Sequence, residues 1–328
     1  MALPALDRTD APVLSLNFLG GALDGRVAYT RAGSATYVDA AGTIQTVGAN
    51  VPRFNYDPTT HLPQGLLVEA ARTNFLLNSG APATQTTGSL GVGTYTLWLD
   101  GTGSAAVTAG TATLTGNGTA SSGVKNTFNV TIAGTVTVTV TGSPTRFQLE
   151  QSSGRTSYMP TAGAIAGRSA DVANVTLGAW FKPAAFTVVS SWIFPYVPGD
   201  PSFQQGAWQM DDGTGNNFAA TFEQTAGTLY QSFMASGGVT GVNNAAGYSL
   251  TAGVVRKHAF AAQAGDFAAY AAGVQQGTQS AGVVMPVGLT TLRIGQTTVG
   301  VYQFNGTIQT IDVYDRRLPN TVLAALTA

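Results

Sequence analysis

The chain has 328 residues, a formal net charge of −1 and only 9% charged side chains, so it carries no electrostatic footprint for nucleic acid or an anionic membrane surface. It contains no Cys, which excludes disulfides, thiolate metal sites and a thiol nucleophile, and no apolar run approaches the ~20 residues that span a bilayer. The length predicts more than one folded unit.

The first residues, "MALPALDRTDAPVL", have neither a basic n-region nor an apolar h-region, so synthesis and assembly in the cytoplasm are expected. Residues 13–77 then hold two short strand-like bursts, "VLSLNF" and "GLLVE", separated by turn-rich sequence such as "RAGSATYVDAAGTIQTVGANVPRFNYDP". This stretch is too irregular to build its own core. Its backbone must be satisfied against another surface, either the sandwich that follows or a partner protein. Beyond Asn78 strand signals dominate. "TVTVTVT" alternates strictly and puts Val136, Val138 and Val140 on one face, as "FNVTIA" does with Phe128, Val130 and Ile132. "TYTLWL", "TATLT" and "TRFQLE" add short strands, with "DGTG" and "TGNG" read as turns. A small sandwich over residues 78–165 follows from this spacing.

"AGAIAGRSADVANV" reads as a linker, with a boundary near Arg168. The runs "VTLGAWF", "FTVVSSWIF", "FAATFE", "TLYQSFM", "RKHAFAAQ", "DFAAYAA", "TTLRIG" and "TIQTIDVYD" predict a larger sandwich over residues 169–328. "LPNTVLAALTA" predicts one closing helix that starts at Pro319 and Asn320 and carries Val322, Leu323 and Leu326 on one side. The expected class is all-β: an irregular segment over residues 1–77, a jelly-roll-like sandwich, a second antiparallel sandwich able to fold alone, and one short C-terminal helix.

Catalytic chemistry finds little support. Glycan hydrolysis needs two flanking carboxylates, and the only Glu residues are Glu69, Glu150 and Glu223. Glu69 and Glu150 each have a nearby Arg, Arg72 and Arg146, able to neutralise them. Asp211 and Asp212 share the tight turn "DDGTG", where Asp bonds its own backbone. His61 lies in a Pro-flanked turn and His258 in a strand, and no Gly-x-Ser-x-Gly elbow or phosphate loop occurs. No cofactor is expected, although "DDGTGNN" offers the oxygen ligands that a calcium ion takes. Sugar binding suits the composition better, because a glycan site pairs an aromatic platform with Asn, Asp or Gln. The candidate carbohydrate-binding residues are Trp192, Tyr196, Asp200, Phe203, Gln204, Trp208, Asp212 and Asn217. Within this set Trp208 also suits a core position, as do Trp180 and Phe194, while Tyr196 and Phe203, flanked by Pro and Gly, are expected at the surface.

The stretch from "LNFLGGALDGRVAYTRAGSATYVDAAG" to "GLLVEAARTNFLLNS" resembles the lead segment of bacteriophage and prophage virion-surface proteins of the head-spike and tail-fibre type. "QLEQSSGRTSYMPTAG" is similar to the end of that family's first sandwich, and "MDDGTGNNF", "VVRKHAFAAQAGDFAAYAAG" and "FNGTIQTIDVYDRRLPNTVLAAL" resemble a concanavalin-A-like, laminin-G-type domain. Two departures stand out: Ala272-Gly273 where such sandwiches often carry Asn-Gly, and the extra aromatic stretch "SSWIFPYVPGDPSFQQGAW". The resemblance implies a non-enzymatic adhesin on a virion surface that binds bacterial surface or capsular polysaccharide. Its N-terminal segment would contact other virion proteins, and several copies would be displayed, as oligomers or side by side. A ligand-free spacer or decoration protein and a capsule depolymerase are the alternatives.

Overall fold

A computed structural model describes residues 11–196, 205–225, 229–248, 251–280, 282–297 and 302–328. The class is all-β with antiparallel sheets, and among the described residues the helix Asn320–Thr327 is the one α-helix. Two large sheets share a core that contains Trp192, Trp208, Phe260, Leu292 and Ile311. One has eight strands among the described residues, in the order Val274–Ser280, Asp266–Ala271, Val255–Gln263, Ala185–Ile193, Gly306–Tyr314, Pro63–Val68 and Phe54–Tyr56, with Leu14–Asn17 also paired to Gly306–Tyr314. The other has seven: Val27–Thr30, Val172–Thr176, Thr291–Ile294, Gly206–Asp211, Phe218–Thr225, Leu229–Ser236 and Val239–Tyr248. The closing helix lies where its sequence predicts, and Leu323 packs with Val189, Ala261 and Tyr270 on the eight-stranded sheet.

The strand pairing corrects the expected order of three successive units. Strand Gly306–Tyr314 pairs with Ala185–Ile193 on one edge. Its other edge is divided between two strands of the lead segment, Pro63–Val68 at Gly306 to Ile308 and Leu14–Asn17 at Thr310 to Val313. Val27–Thr30 joins the second sheet beside Val172–Thr176. The lead segment is thus built into the large sandwich, rather than capping the small one or standing free as a foot. The stretch read as a linker contributes strand Val172–Thr176 to the second sheet, and Ala166–Arg168 pairs with Arg72–Asn74 as a two-stranded neck. The small sandwich is an insertion that leaves and re-enters through this neck.

Within the insertion, strands Gly93–Ala109 and Val136–Glu150 pair along almost their whole length. "DGTG" is therefore the middle of a strand and not a turn. Gly103 faces Gly142 across the ladder with φ of +129° and +76°, and a Cβ on Gly103 would sit 2.1 Å from the Thr141 carbonyl oxygen. Glycine lets the ribbon bend there without losing its pairing. Both halves then contribute to one core, with Leu97, Leu99 and Phe147 from one side of the bend and Val107, Val136 and Val138 from the other. Phe128 and Val130 are buried as their alternation predicts, but Ile132, at the strand end, is 62% exposed.

Three segments meet at a buried ion network beside the neck. Arg31, Arg53 and Glu69 come from the lead segment, Ser157 from the end of the insertion, and Arg168 and Asp171 from the returning chain. Glu69 Oε2 accepts from Arg53 Nη1 at 2.7 Å and Ser157 Oγ at 2.6 Å, and lies 3.1 Å from Arg168 Nη1. Glu69 Oε1 accepts from the Ser157 backbone N–H at 2.7 Å. Asp171 accepts from Arg53 Nη2, from Arg31 Nη1 at 3.1 Å, from the Tyr29 hydroxyl at 2.5 Å and from the Glu69 backbone N–H at 2.8 Å. Sequence proximity had pointed to Arg72 as the partner of Glu69. The fold supplies Arg53 and Arg168 instead. Glu150 is likewise held by Trp98, Gln148 and Thr156 rather than by Arg146, which faces Asp100 at 3.3 Å.

Burial opposes the charge of Glu69, but Arg168, Arg53 and the Ser157 donors override it and bring its pKa down to about 2. A carboxyl depressed on folding contributes stability that is fully present above its unfolded value, the ordinary glutamate range, and is lost as pH falls through that range towards 2. Denaturant midpoints measured from pH 7 to pH 2 should therefore fall on the acid side. Glu69→Gln should flatten that acid limb and destabilise the protein by about 3–5 kcal/mol at pH 7, because it leaves Arg53 and Arg168 buried with one carboxylate fewer. A second expectation follows from the pairing. A fragment of residues 169–328 lacks Leu14–Asn17, Val27–Thr30, Phe54–Tyr56 and Pro63–Val68, so it should show no cooperative unfolding transition by calorimetry, whereas the full chain should.

Candidate functional site

Among the described residues, the aromatic members of the sequence-derived platform are not assembled as a surface. Trp192 and Trp208 have no solvent contact: Trp192 packs 4.9 Å from the Tyr230 ring, and Trp208 stands edge-on to Phe260 at 5.4 Å. Phe194 is core as well, and Trp180 is half-buried against the same cluster. Asp200, Phe203 and Gln204 lie outside the described residues. Tyr196, expected at the surface, is 4% exposed. It closes the junction between insertion and large sandwich: its hydroxyl lies 3.3 Å from Ser152 Oγ, Lys125 Nζ is 5.3 Å from its ring centre, and Gly154 lies flat against the ring. A Cβ on Gly154 would come within 2.0 Å of the ring.

Asp212 and Asn217 sit at the end of the hairpin that joins Gly206–Asp211 to Phe218–Thr225, where they organise the turn. Asp212 accepts from the Thr214 backbone N–H at 2.8 Å and its hydroxyl at 2.6 Å, and from Asn217 Nδ2 at 2.8 Å. Both Asp212 oxygens are thereby engaged by the loop, as read from the Asp pair in the sequence. Among the described residues no cluster of three His, Asp or Glu stands ready for a metal ion. His258 is buried in its strand, 3.3 Å from Ser232 Oγ, and burial pushes its pKa down to about 3. The Ala272-Gly273 departure falls in a two-residue hairpin turn that needs positive φ at both positions, and Ala272 adopts +50°.

A second group of residues does come together, on the outer face of the seven-stranded sheet. Ala173, Val175, Trp208, Met210, Leu292 and Ile294 point into the core. The alternate residues Asn174, Arg293, Gln209, Ala220 and Phe233, which are in register across five strands, therefore point the other way. Asp211, two residues along the strand from Gln209 and so on the same face, anchors the row: Arg293 donates Nε to its Oδ2 at 2.6 Å and Nη2 to its Oδ1 at 3.1 Å. Gln209 Nε2 donates to the same Oδ2 at 3.1 Å. This leaves Nη1 of Arg293, whose side chain is 20% exposed, outside the pair. Gln296 Nε2 donates to Asn174 Oδ1 at 3.1 Å. Beside them three rings stack: Phe222 lies 4.5 Å from Phe233 and 5.3 Å from Tyr302.

Gln209, Asp211 and Phe233 are 5%, 0% and 7% exposed, so what this face presents to solvent is the partly exposed Arg293 and Asn174 beside the half-buried rings of Phe222 and Tyr302. Sequence reasoning chose Trp208 from "GAWQMD" and passed over Gln209, its neighbour on the opposite face. Alternation alone would have separated the two. The same rule places Arg293 of "TTLRIG" opposite Leu292 and Ile294.

No protein-family model and no curated protein matches the chain. Among solved structures it is similar in part to the sialidase CBM40 of Ruminococcus gnavus bound to α2,3-sialyllactose, with TM-score 0.37 and 17% identity over 44% of this chain and 83% of that one. It is also similar to domain 4 of an extracellular arabinanase of Geobacillus stearothermophilus in complex with arabinotriose, with TM-score 0.39 and 14% identity over 53% of this chain and 82% of that one. Scores below 0.5 at such identity assign neither a family nor a ligand to this chain.

The placement of Tyr196 makes it a structural residue. Tyr196→Ala should lower the unfolding free energy by about 3 kcal/mol, as loss of a buried ring does. A thermal melt of the variant should shift accordingly, whereas an exposed tyrosine would leave it unmoved.

Proposed function

We propose that the chain is a non-enzymatic glycan-binding protein whose ligand lies along the outer face of the seven-stranded sheet. The observation that carries this reading is the Arg293–Asp211–Gln209 group set beside the Phe222–Phe233–Tyr302 stack. Sugars present hydroxyl edges and apolar C–H faces, and fixed amide and guanidinium donors next to an aromatic edge answer both. Asp211 neutralises Arg293, so recognition on this face works through short hydrogen bonds and contact rather than long-range attraction.

Against hydrolysis stands the state of the carboxylates. Glu69 and Glu150 are 2% and 0% exposed and saturated by donors, and Asp211 is committed to Arg293, so none of them is placed to flank a glycosidic bond in solvent. The motif resemblance to virion-surface proteins supports a setting on a phage or prophage particle, as head spike or tail fibre, with bacterial surface polysaccharide as the target. Display in several copies would raise a weak single-site affinity by effective concentration. Contacts to other virion proteins would then use outer surfaces of the folded sandwiches. Deleting residues 1–77 would remove sheet strands and not merely an attachment segment.

The test is binding of the full chain to a panel of bacterial polysaccharides. Arg293→Lys keeps a charge beside Asp211 but loses the planar fork, and Phe222→Ala removes the middle ring of the stack. Each should weaken glycan retention at least about tenfold, a loss of roughly 1.4 kcal/mol, with unchanged circular dichroism and little dependence on salt. Retention equal to wild type in both variants would move the site off this face, and retention of no glycan by the wild type would favour the ligand-free spacer.

A further inference from the structure

A separate cleft of about 220 Å³ opens where the insertion meets the large sandwich, lined among others by Trp98, Val124, Lys125, Arg155, Pro195 and Tyr196. In a chain with only 15 basic residues, three basic side chains gather in and beside it. Arg155 lies flat on Trp98, its guanidinium carbon 3.8 Å from the ring centre, and donates Nη1 and Nη2 to Asp100 at 2.8 and 3.0 Å. Arg146 approaches the same Asp100 at 3.3 Å. Lys125 Nζ donates to the Ser153 carbonyl at 2.7 Å and sits over the Tyr196 ring.

The charges do not balance. Asp100 is shared by two arginines, and the buried Glu150 behind Trp98 is saturated by the Trp98 indole, Gln148 and Thr156. Among the described residues no carboxylate pairs with Lys125; a carbonyl and a ring face hold it, and both fix its position without neutralising it. We propose that this cleft binds one carboxylate-bearing sugar residue of a polysaccharide, its carboxylate between Lys125 and Arg155 and its ring against Val124 and Pro195.

Burial pushes the Lys125 pKa down, with Glu150 only partly opposing, so an anion bound beside it would relieve a real desolvation cost. Val124 is 59% exposed and Pro195 is exposed, which leaves apolar surface free for a sugar face. The volume lies below the ~300–1,000 Å³ of pockets for drug-sized ligands and suits a single ring. The inference does not depend on the sheet face: it calls for an acidic ligand and salt-sensitive binding, where that face calls for neither.

The experiment is ligand-observed NMR titration of the full chain with glucuronate, glucose and inorganic phosphate. Glucuronate should bind in competition with neither of the other two, and its affinity should fall as salt rises. Lys125→Met, which keeps the aliphatic stem, and Arg155→Gln should each weaken glucuronate about tenfold. Equal binding of glucose and glucuronate, an unchanged affinity in Lys125→Met, or displacement by phosphate at the same concentration would each overturn the assignment.

Discussion

Arg31, Arg53, Glu69, Arg168 and Asp171 are between 0 and 3% exposed, yet all five belong to residue types that are almost never fully buried without partners. Removing such charges from water costs several kcal/mol each, and only well-directed hydrogen bonds repay it. Most of these groups are paired: Glu69 and Asp171 bridge the three arginines, and the remaining N–H groups of Arg31 reach the Gly33, Gly48 and Val51 carbonyls, while Arg53 Nε and Arg168 Nε are buried without a partner. Apolar contacts tolerate sliding. A guanidinium fork between two carboxylates does not, and this rigidity sets how the lead segment, the insertion and the returning chain meet.

The consequences run outward from that point. Because Ser157 donates both its hydroxyl and its backbone N–H to Glu69, the end of the insertion is fixed to the large sandwich by charge-assisted bonds. Tyr196 then closes the same junction from the other side by lying on Gly154. Two anchors of different physics, one ionic and one aromatic, hold a module that the covalent chain joins only through a two-stranded neck. The cleft beside Lys125 exists because the two bodies are fixed at this distance.

Much of the local structure was legible in the residues. The alternation of "TVTVTVT" buries Val136 and Val138, and the helix signal at Pro319 is met by a helix from Asn320. Non-local facts were not legible. Nothing local tells Leu14–Asn17 that its partner is Gly306–Tyr314, so the lead segment looked homeless and the insertion looked like an ordinary first domain. Glu69 has Arg72 close in sequence, but its partners are Arg53 and Arg168, from the two sides of the insertion. Tyr196 looked like a loop tip because Pro and Gly flank it, and its burial depends on Gly154, which belongs to the other sandwich.

The divided edge of Gly306–Tyr314 has a consequence for the life of the chain before it is folded. Leu14 pairs with Val313, which is synthesised about 300 residues later. At ribosomal speeds of ~5–20 residues per second, the first strand waits roughly 15–60 s for its neighbour. Over that interval the insertion, whose core is drawn from one continuous stretch, can close by itself, while the strands around it remain open edges of the kind that recruit foreign strands. Because the insertion is entered and left through the paired strands Arg72–Asn74 and Ala166–Arg168, its closure holds the segments on its two sides together while the partner of Leu14–Asn17 is still to come.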